Sequence, residues 1–449
     1  MDNKNTTKIG FVSLGCSKNQ IDTEIMLKIL VDSGYEIVTE DVAADIIIVN
    51  TCAFIETAKQ EAIDNILDIA WLKEHRSLKG IIACGCLSER YREEILKELP
   101  EIDAIVGVFS IHDILKAVKH IESGVPEKFI SLKTQGEYIL GGERVLTTPE
   151  YMAYIKISEG CDNYCSYCAI PLIRGKFRSR DMQNIIDEAK DLAAIGVKEL
   201  CVVAQDTTRY GEDLYGECRL PELLKQLCGI DSIEWIRLLY CYPDKITDEM
   251  IEVIKTHEKI VNYIDMPVQH ISDNILNAMN RRGGSEAIYS AIKRLRESIP
   301  DIVIRTTVIV GFPGETKQDF AKLCEFLEQI KFERLGAFAY SKEEGTKAAE
   351  LENRVSESQK ERRYKTVMQL QERINYSLNK KKTGKTVKVL CEEYDKVSEA
   401  YFGRSYADAP EIDGKIYFTS KSGKRIKSGE FVDVKIKEII DYDLLGECE

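Results

Sequence analysis

The sequence predicts an α/β chain in three parts: an N-terminal doubly wound parallel-sheet domain, a central open (β/α)6 partial barrel and a small C-terminal β-barrel. Three observations carry this reading. Over residues 1–135 short apolar runs alternate with amphipathic helical stretches, the βαβα rhythm of a parallel sheet covered by helices. From residue 151 six more strand-like runs recur with helices between them, as in a parallel barrel. From residue 380 the helical period ends and short strands alternate with turn dipeptides.

In the first part, strand runs are expected at 8–14, 45–49 (DIIIV), 80–83 and 104–108. Helices are expected at 19–32, 55–71, 88–99 and about 111–121. The pattern does not order the strands. Cys16, Cys52 and Cys86 each stand where a strand gives way to a helix. Open α/β sheets bind ligands at that carboxyl edge, and helix N-termini favour thiolate there. We read the three as one metal site, although burial as a small packing residue would account for any single one of them. Cys84 competes with Cys86 in the run C-G-C. It still lies within the apolar stretch, whereas Cys86 clears it, so Cys86 is preferred. Residues 136–150 read as a linker, and the weakly patterned stretch 124–150 leaves room for a short strand pair.

In the second part, strands are expected at 152–157, 199–204, 235–240, 263–267, 303–310 and 335–339, with a long closing helix at 356–380. After the first of these strands comes Ser158-Glu159-Gly160-Cys161-Asp162-Asn163-Tyr164-Cys165-Ser166-Tyr167-Cys168. The spacing C-x3-C-x2-C supplies three thiolates. Structural zinc wants four closed ligands, and electron-transfer clusters want four cysteines. The first histidine after Cys168 is His257. Three ligands fit a [4Fe-4S] cluster with one iron open to a small molecule; the rival is a zinc knuckle completed from a distance. Polar residues gather at the same expected strand edge: Gln205 and Asp206, Gln269 and His270, and Gly311 to Glu315. The run Arg174, Lys176, Arg178, Arg180 reads either as an anion-attracting patch or as an ion-paired face.

The net charge of −13 argues against general nucleic-acid or membrane-surface binding. The first residues carry no apolar signal segment, and no apolar run approaches the ~20 residues of a spanning helix. A cytoplasmic protein is expected. There, 14 cysteines point to metal or redox work rather than disulfides. The tail, 380–449, carries 14 basic and 14 acidic residues. Its expected strands, 387–394, 400–405, 415–419 and 430–440, therefore suit a protein partner better than a phosphate backbone.

The cysteine loop resembles the signature of radical S-adenosylmethionine (SAM) enzymes. The whole layout is similar to the methylthiotransferases, through VSLGCSKNQIDTE, VNTCAFIETAKQEAI, GCDNYCSYCAIPLIRGKFRSR, AQDTTRYGEDLYG and YIDMPVQHISDNILNAMNRRG. The wording is closest to the branch that modifies a ribosomal protein, with GRSYADAPEIDG in a tail that matches a TRAM module. The resemblance implies two [4Fe-4S] clusters and SAM. Cys161, Cys165 and Cys168 match the ligands of the SAM-binding cluster; Cys16, Cys52 and Cys86 match those of an auxiliary cluster. Candidate SAM contacts are Gln205, Gln269 and Gly311, and no side chain is implied as a catalytic acid, base or nucleophile. The implied reaction puts a methylthio group on the β-carbon of an aspartate in small-subunit ribosomal protein S-twelve, with flavodoxin or ferredoxin as electron donor. Two other readings stay open: methylthiolation of a modified adenosine in tRNA, and a non-catalytic iron–sulfur carrier or sensor.

Overall fold

In the computed structural model, residues 7–137 and 140–449 are described. Residues 1–6, read above for a signal segment, and 138–139 of the connector lie outside them. The chain divides into two compact units. The first comprises Met1–Thr148, Lys156–Ile185 and Ser341–Ala349; the second comprises Pro149–Ile155, Ile186–Tyr340 and Glu350–Glu449.

The first unit is built on a six-stranded parallel sheet of β1 (Lys8–Ser13), β2 (Glu36–Val38), β3 (Ile46–Thr51), β4 (Gly80–Gly85), β5 (Ala104–Val106) and β6 (Phe129–Ser131). Its order is β2-β1-β3-β4-β5-β6. β3 and β4 are buried along their whole length, as strands covered by helices on both faces must be. Helices α1 (Ser17–Asp32), α2 (Glu56–His75) and α3 (Cys86–Tyr91) follow β1, β3 and β4. The edge strands β2 and β6 escaped sequence reading, because three residues each are too few for a period to show. β6 joins β5 as an edge rather than forming a strand pair within the connector. The helix expected at 88–99 starts at Cys86 and breaks after Tyr91 at Arg92, whose φ is +51°.

β7 (Met152–Lys156) precedes the cysteine loop, which is framed by the short antiparallel pair β8 (Ser158–Glu159) and β9 (Arg178–Ser179). In the second unit β7 is joined by β10 (Glu199–Val203), β11 (Trp235–Leu238), β12 (Ile260–Asp265), β13 (Val303–Val310) and β14 (Arg334–Ala339). The order β14-β13-β12-β11-β10-β7 follows the chain, and the ends do not pair, so this is the expected open partial barrel. The closing helix runs over Glu357–Lys380.

The tail forms a closed barrel of β15 (Thr386–Asp395), β16 (Ala400–Ser405), β17 (Ile416–Ser420), β18 (Phe431–Ile440) and β19 (Asp443–Cys448), in the order β15-β16-β17-β19-β18. Alternate residues fill its core, among them Val389, Cys391, Phe418 and Val434. β19 was missed in the sequence: Gly446 and Glu447 weaken its pattern, and it becomes a strand by closing the barrel between β17 and β18.

Buried charges fasten this barrel to the start of β10. Arg404 donates to Glu199 (2.7 Å) and to Glu392 (2.6 Å), while Arg237 donates to the other oxygen of Glu199 at 2.8 Å. Arg334, at the start of β14, pairs with Asp408. The even charge balance of the tail is thus partly consumed inside the unit.

Candidate functional site

In the first unit the strand order sets β1, β3 and β4 side by side, so the loops carrying Cys16, Cys52 and Cys86 are neighbours at the carboxyl edge. The register levels them: Ser13 faces Asn50, and Thr51 faces Gly85. Cys16 precedes α1, Cys52 follows β3, and Cys86 opens α3. A Cβ placed on Gly15 would stand 3.3 Å from the Cys52 sulfur, so the first two loops touch. Asn19 ties the set together. Its Nδ2 donates to Leu14 O (3.1 Å) and Thr51 O (2.8 Å), and the Cys86 thiol donates to its Oδ1 at 3.4 Å. Cys84 is different. It is buried inside β4, with its thiol on Val49 O at 3.5 Å.

Electrostatics separates the three thiols. Burial pushes Cys86 up to about 12, against the pull of Arg174. Burial also raises Cys52. Cys16 reaches solvent, and although the surrounding protein pushes its thiol up, Lys18, Arg174 and backbone N–H groups outweigh that and lower it. A metal binding here must displace protons from the two raised thiols.

Gly85, immediately before Cys86, has a φ of +86°, and a Cβ on it would meet Asn50 Oδ1 at 2.2 Å and Thr51 O at 2.8 Å. Gly85→Ala is therefore expected to cost about 2–4 kcal/mol, from left-handed backbone and overpacking together. Urea unfolding measures that loss, and an unchanged midpoint would remove the argument.

The second cysteine loop belongs to the same compact unit. Gly160 has a φ of +77°, and a Cβ there would come within 2.1 Å of Lys176 O, so the strands of the β8–β9 pair approach only around glycine. Cys161 N donates to Gly175 O (3.1 Å), and Cys168 N to Cys165 O (3.0 Å). The Cys168 sulfur accepts the N–H of Ile170 at 3.4 Å. From Ser341–Ala349, Ala348 N donates to Ser166 O at 2.8 Å. The same segment carries Glu343, which accepts Glu56 N at 3.0 Å and pairs with Arg90 at 3.2 Å. One strap thus holds the second cysteine loop, the start of α2 and the end of α3. Nothing in its sequence marks it, because its partners are distant in the chain.

Within the basic run Arg174 and Arg180 are buried, Arg178 is half-buried and Lys176 is exposed. Arg174 and Lys156 share the carboxylates of Asp22 and Glu159, with distances of 2.7 to 3.1 Å. Arg180 donates to Lys156 O at 2.8 Å, and Arg178 to Gln135 O at 2.8 Å. The ion-paired reading of this run is therefore the one that holds for Arg174.

In the second unit, Gln205 follows β10, Gln269 follows β12 and Gly311 follows β13, so all three sit at the carboxyl edge of that sheet. Gln269 has a φ of +70°, is clamped to β13 through Thr307 O and Ile309 N (both 2.8 Å), and its buried Oε1 has no hydrogen-bond partner among the described residues. Strained backbone with an unsatisfied amide is a feature of ligand sites. Gly311 packs its backbone against Lys360, where a Cβ would meet the side chain at 2.4 Å. His270 is fully buried; its Nδ1 accepts Ser272 N at 3.0 Å and its Nε2 lies 3.9 Å from Glu315, a structural position. Glu315 accepts the backbone N–H groups of Gly311 and Phe312 and pairs with Arg363 at 3.2 Å, which fixes the glycine turn.

Comparison with known proteins follows the same three parts. The uncharacterized protein family UPF0004 matches residues 8–107, the radical SAM superfamily 155–327 and the TRAM domain 383–448. "Ribosomal protein uS12 methylthiotransferase RimO" of Thermoanaerobacter sp. (strain X514) is 50% identical over 446 residues, covering 98% of this chain and 99% of that protein. The protein of the same name from Clostridioides difficile (strain 630) is 51% identical, covering 98% of each. The chain belongs to the RimO family of radical SAM methylthiotransferases. Among solved structures, the radical SAM methyltransferase TsrM from Kitasatospora setae resembles this RimO-family chain in fold. The TM-score is 0.56 at 13% identity, over 74% of this chain and 73% of that one.

Radical SAM methylthiotransferases of the RimO family are enzymes that use SAM and [4Fe-4S] clusters. The donors of this RimO-family chain fit such groups: two sets of three thiols, each on loops held by backbone and amide contacts. The cysteines form no disulfide among the described residues, and no three His, Cys, Asp or Glu side chains there crowd closely enough to hold one ion. A cluster takes each of its thiolates on a separate iron. Asn19, Asp22 and Glu343 are the residues that sequence reading missed here. Asn19 and Asp22 stood in the quoted SLGCSKNQID run, three and six residues after Cys16, on the inner side of α1. No helix among the described residues is long and apolar enough to cross a membrane.

Proposed function

We propose that this chain methylthiolates ribosomal protein uS12, at the β-carbon of an aspartate, with two [4Fe-4S] clusters. Cys161, Cys165 and Cys168 hold the SAM-binding cluster, and Cys16, Cys52 and Cys86 hold the auxiliary one. The observation that carries the reading is that both three-cysteine sets lie in one compact unit, bridged by the buried Arg174–Asp22–Glu159 contacts. When bound, the reduced cluster and SAM supply the radical chemistry that an unactivated C–H bond requires, since such a bond offers no acidic proton to a base.

The chain's own residues hold and orient these groups. Three cysteines per set leave one iron of each cluster without a protein ligand. Gln205, Gln269 and Gly311 are the residues proposed to contact SAM; the unpartnered amide oxygen of Gln269 supports this. No side chain acts as acid, base or nucleophile. The parts are 1–135 for the auxiliary cluster, a linker at 136–150, the radical SAM core at 151–379 and the TRAM-like module at 380–449, whose even charge balance suits a protein substrate. The electron donor is a flavodoxin or ferredoxin, and the enzyme works in the cytoplasm.

Mass spectrometry of uS12 from a strain lacking the gene tests this. The expected result is loss of one methylthio group from one aspartate, restored by complementation, with tRNA nucleosides unchanged. Intact uS12 together with loss of a methylthiolated adenosine from tRNA would overturn it. Clusters with no SAM-dependent 5′-deoxyadenosine would mark a carrier or sensor instead.

A further inference from the structure

Arg174 sits six residues beyond Cys168, yet its guanidinium reaches the other cysteine set. It is 1% exposed. Nη1 donates to Asp22 Oδ2 at 2.7 Å and to Glu159 Oε2 at 3.1 Å. Nη2 donates to Asn19 Oδ1 and to the Cys86 sulfur at 3.5 Å. Lys156 Nζ bridges the same carboxylates, 2.7 Å from Asp22 and 2.8 Å from Glu159. Two cations and two anions therefore balance before any thiolate is counted. Taking four charges out of water costs nearly as much as their attraction returns, so stability alone is a weak reason for such a group. The planar fork explains it better. One nitrogen faces the carboxylates and the other faces the amide and sulfur, a division of labour that a lysine ammonium cannot copy. Asp22 and Asn19 belong to α1, and Glu159 stands two residues before Cys161.

We propose that Arg174 is a positioning residue shared by the two cysteine sets: it locks Asn19 and Cys86 to the Glu159 end of the second loop and places a positive charge against the Cys16–Cys52–Cys86 site that favours the reduced form of a cluster there. The proposal deepens the two-cluster reading and rests on it.

The test uses the full chain, reconstituted anaerobically, as wild type, Arg174→Met, Arg174→Lys and Asp22→Asn. Iron and sulfide per chain and the reduction potential of each cluster, followed by electron paramagnetic resonance, are the readouts. Arg174→Met is expected to lose as much as about half of the iron, and whatever auxiliary cluster remains is expected at a more negative potential. Asp22→Asn removes an anion from the same group and should move that potential the opposite way. Arg174→Lys keeps the charge without the fork, so its potential stays near wild type while its iron falls. If Arg174→Met loses the auxiliary cluster entirely, the opposite shift in Asp22→Asn and the retained potential in Arg174→Lys still carry the proposal. Shifts of the same sign in Arg174→Met and Asp22→Asn, or wild-type iron and potential in Arg174→Met, overturn it. A wild-type chain that takes up a single cluster overturns the two-cluster reading itself, a different failure.

Discussion

Alanine at Cys161, Cys165 or Cys168 is expected to abolish SAM-dependent formation of 5′-deoxyadenosine, because two remaining thiolates do not hold a cluster with a defined open iron. Alanine at Cys16, Cys52 or Cys86 should instead leave some SAM cleavage and stop methylthio transfer. Each set is expected to lose about half of the bound iron, since each is proposed to hold one of two clusters. Cys84→Ala is the internal control. Its thiol is directed at Val49 O inside β4, away from the loop edge, so iron should stay near wild type. Unchanged iron in the Cys16, Cys52 and Cys86 variants would end the two-cluster assignment. Equal loss at Cys84 and Cys86 would mean that the strand end does not discriminate between them.

Removing Glu199 is expected to be strongly destabilising. Its two oxygens accept from Arg404 and Arg237, all three side chains lying within 2% of full burial. Glu199→Ala leaves Arg237 buried without a carboxylate and Arg404 with Glu392 alone, at a cost of about 3–5 kcal/mol. Because Arg404 belongs to the terminal barrel and Glu199 to β10, the barrel should loosen first, visible as early proteolysis within 380–449. Acid acts on the same contact. Burial pushes the Glu199 carboxyl up, but Arg404 and Arg237 outweigh it and hold it below its ordinary value. The stabilisation is therefore complete above the unfolded value of about 4.3 and is lost as the pH falls through the lower folded value. Asp408, held down chiefly by Arg334 against burial, has the same sign; Asp413, which burial raises, has the opposite one. A falling melting temperature below about pH 4 in the wild type, with a shallower fall in Glu199→Gln, is the expected profile. Identical profiles would remove Glu199 from the account.

Much of this was legible from local chemistry. The DIIIV run could only be an interior strand, and the spacing of Cys161, Cys165 and Cys168 carries its own ligand logic because all three lie on one loop. Cys86 was separable from Cys84 because an apolar run ends between them. What escaped is non-local. The edge strands β2 and β6 are too short for a period, and β19 is a strand only because β17 and β18 need it. Arg174 is one of four basic residues whose run reads locally as either an anion-attracting patch or an ion-paired face. Its burial depends on Asp22, 152 positions earlier in the chain.

The sequence by itself carried the three-part layout, the six cysteines proposed as ligands and, through its resemblance, the family. Only the tertiary structure decided that β1, β3 and β4 lie adjacent, so that Cys16, Cys52 and Cys86 meet at one edge. Only it decided that the Arg174 guanidinium reaches both the Cys86 sulfur and the carboxylate of Glu159. The physical reason is that strand order and burial are set by the pairing and packing of distant segments, which no local window contains.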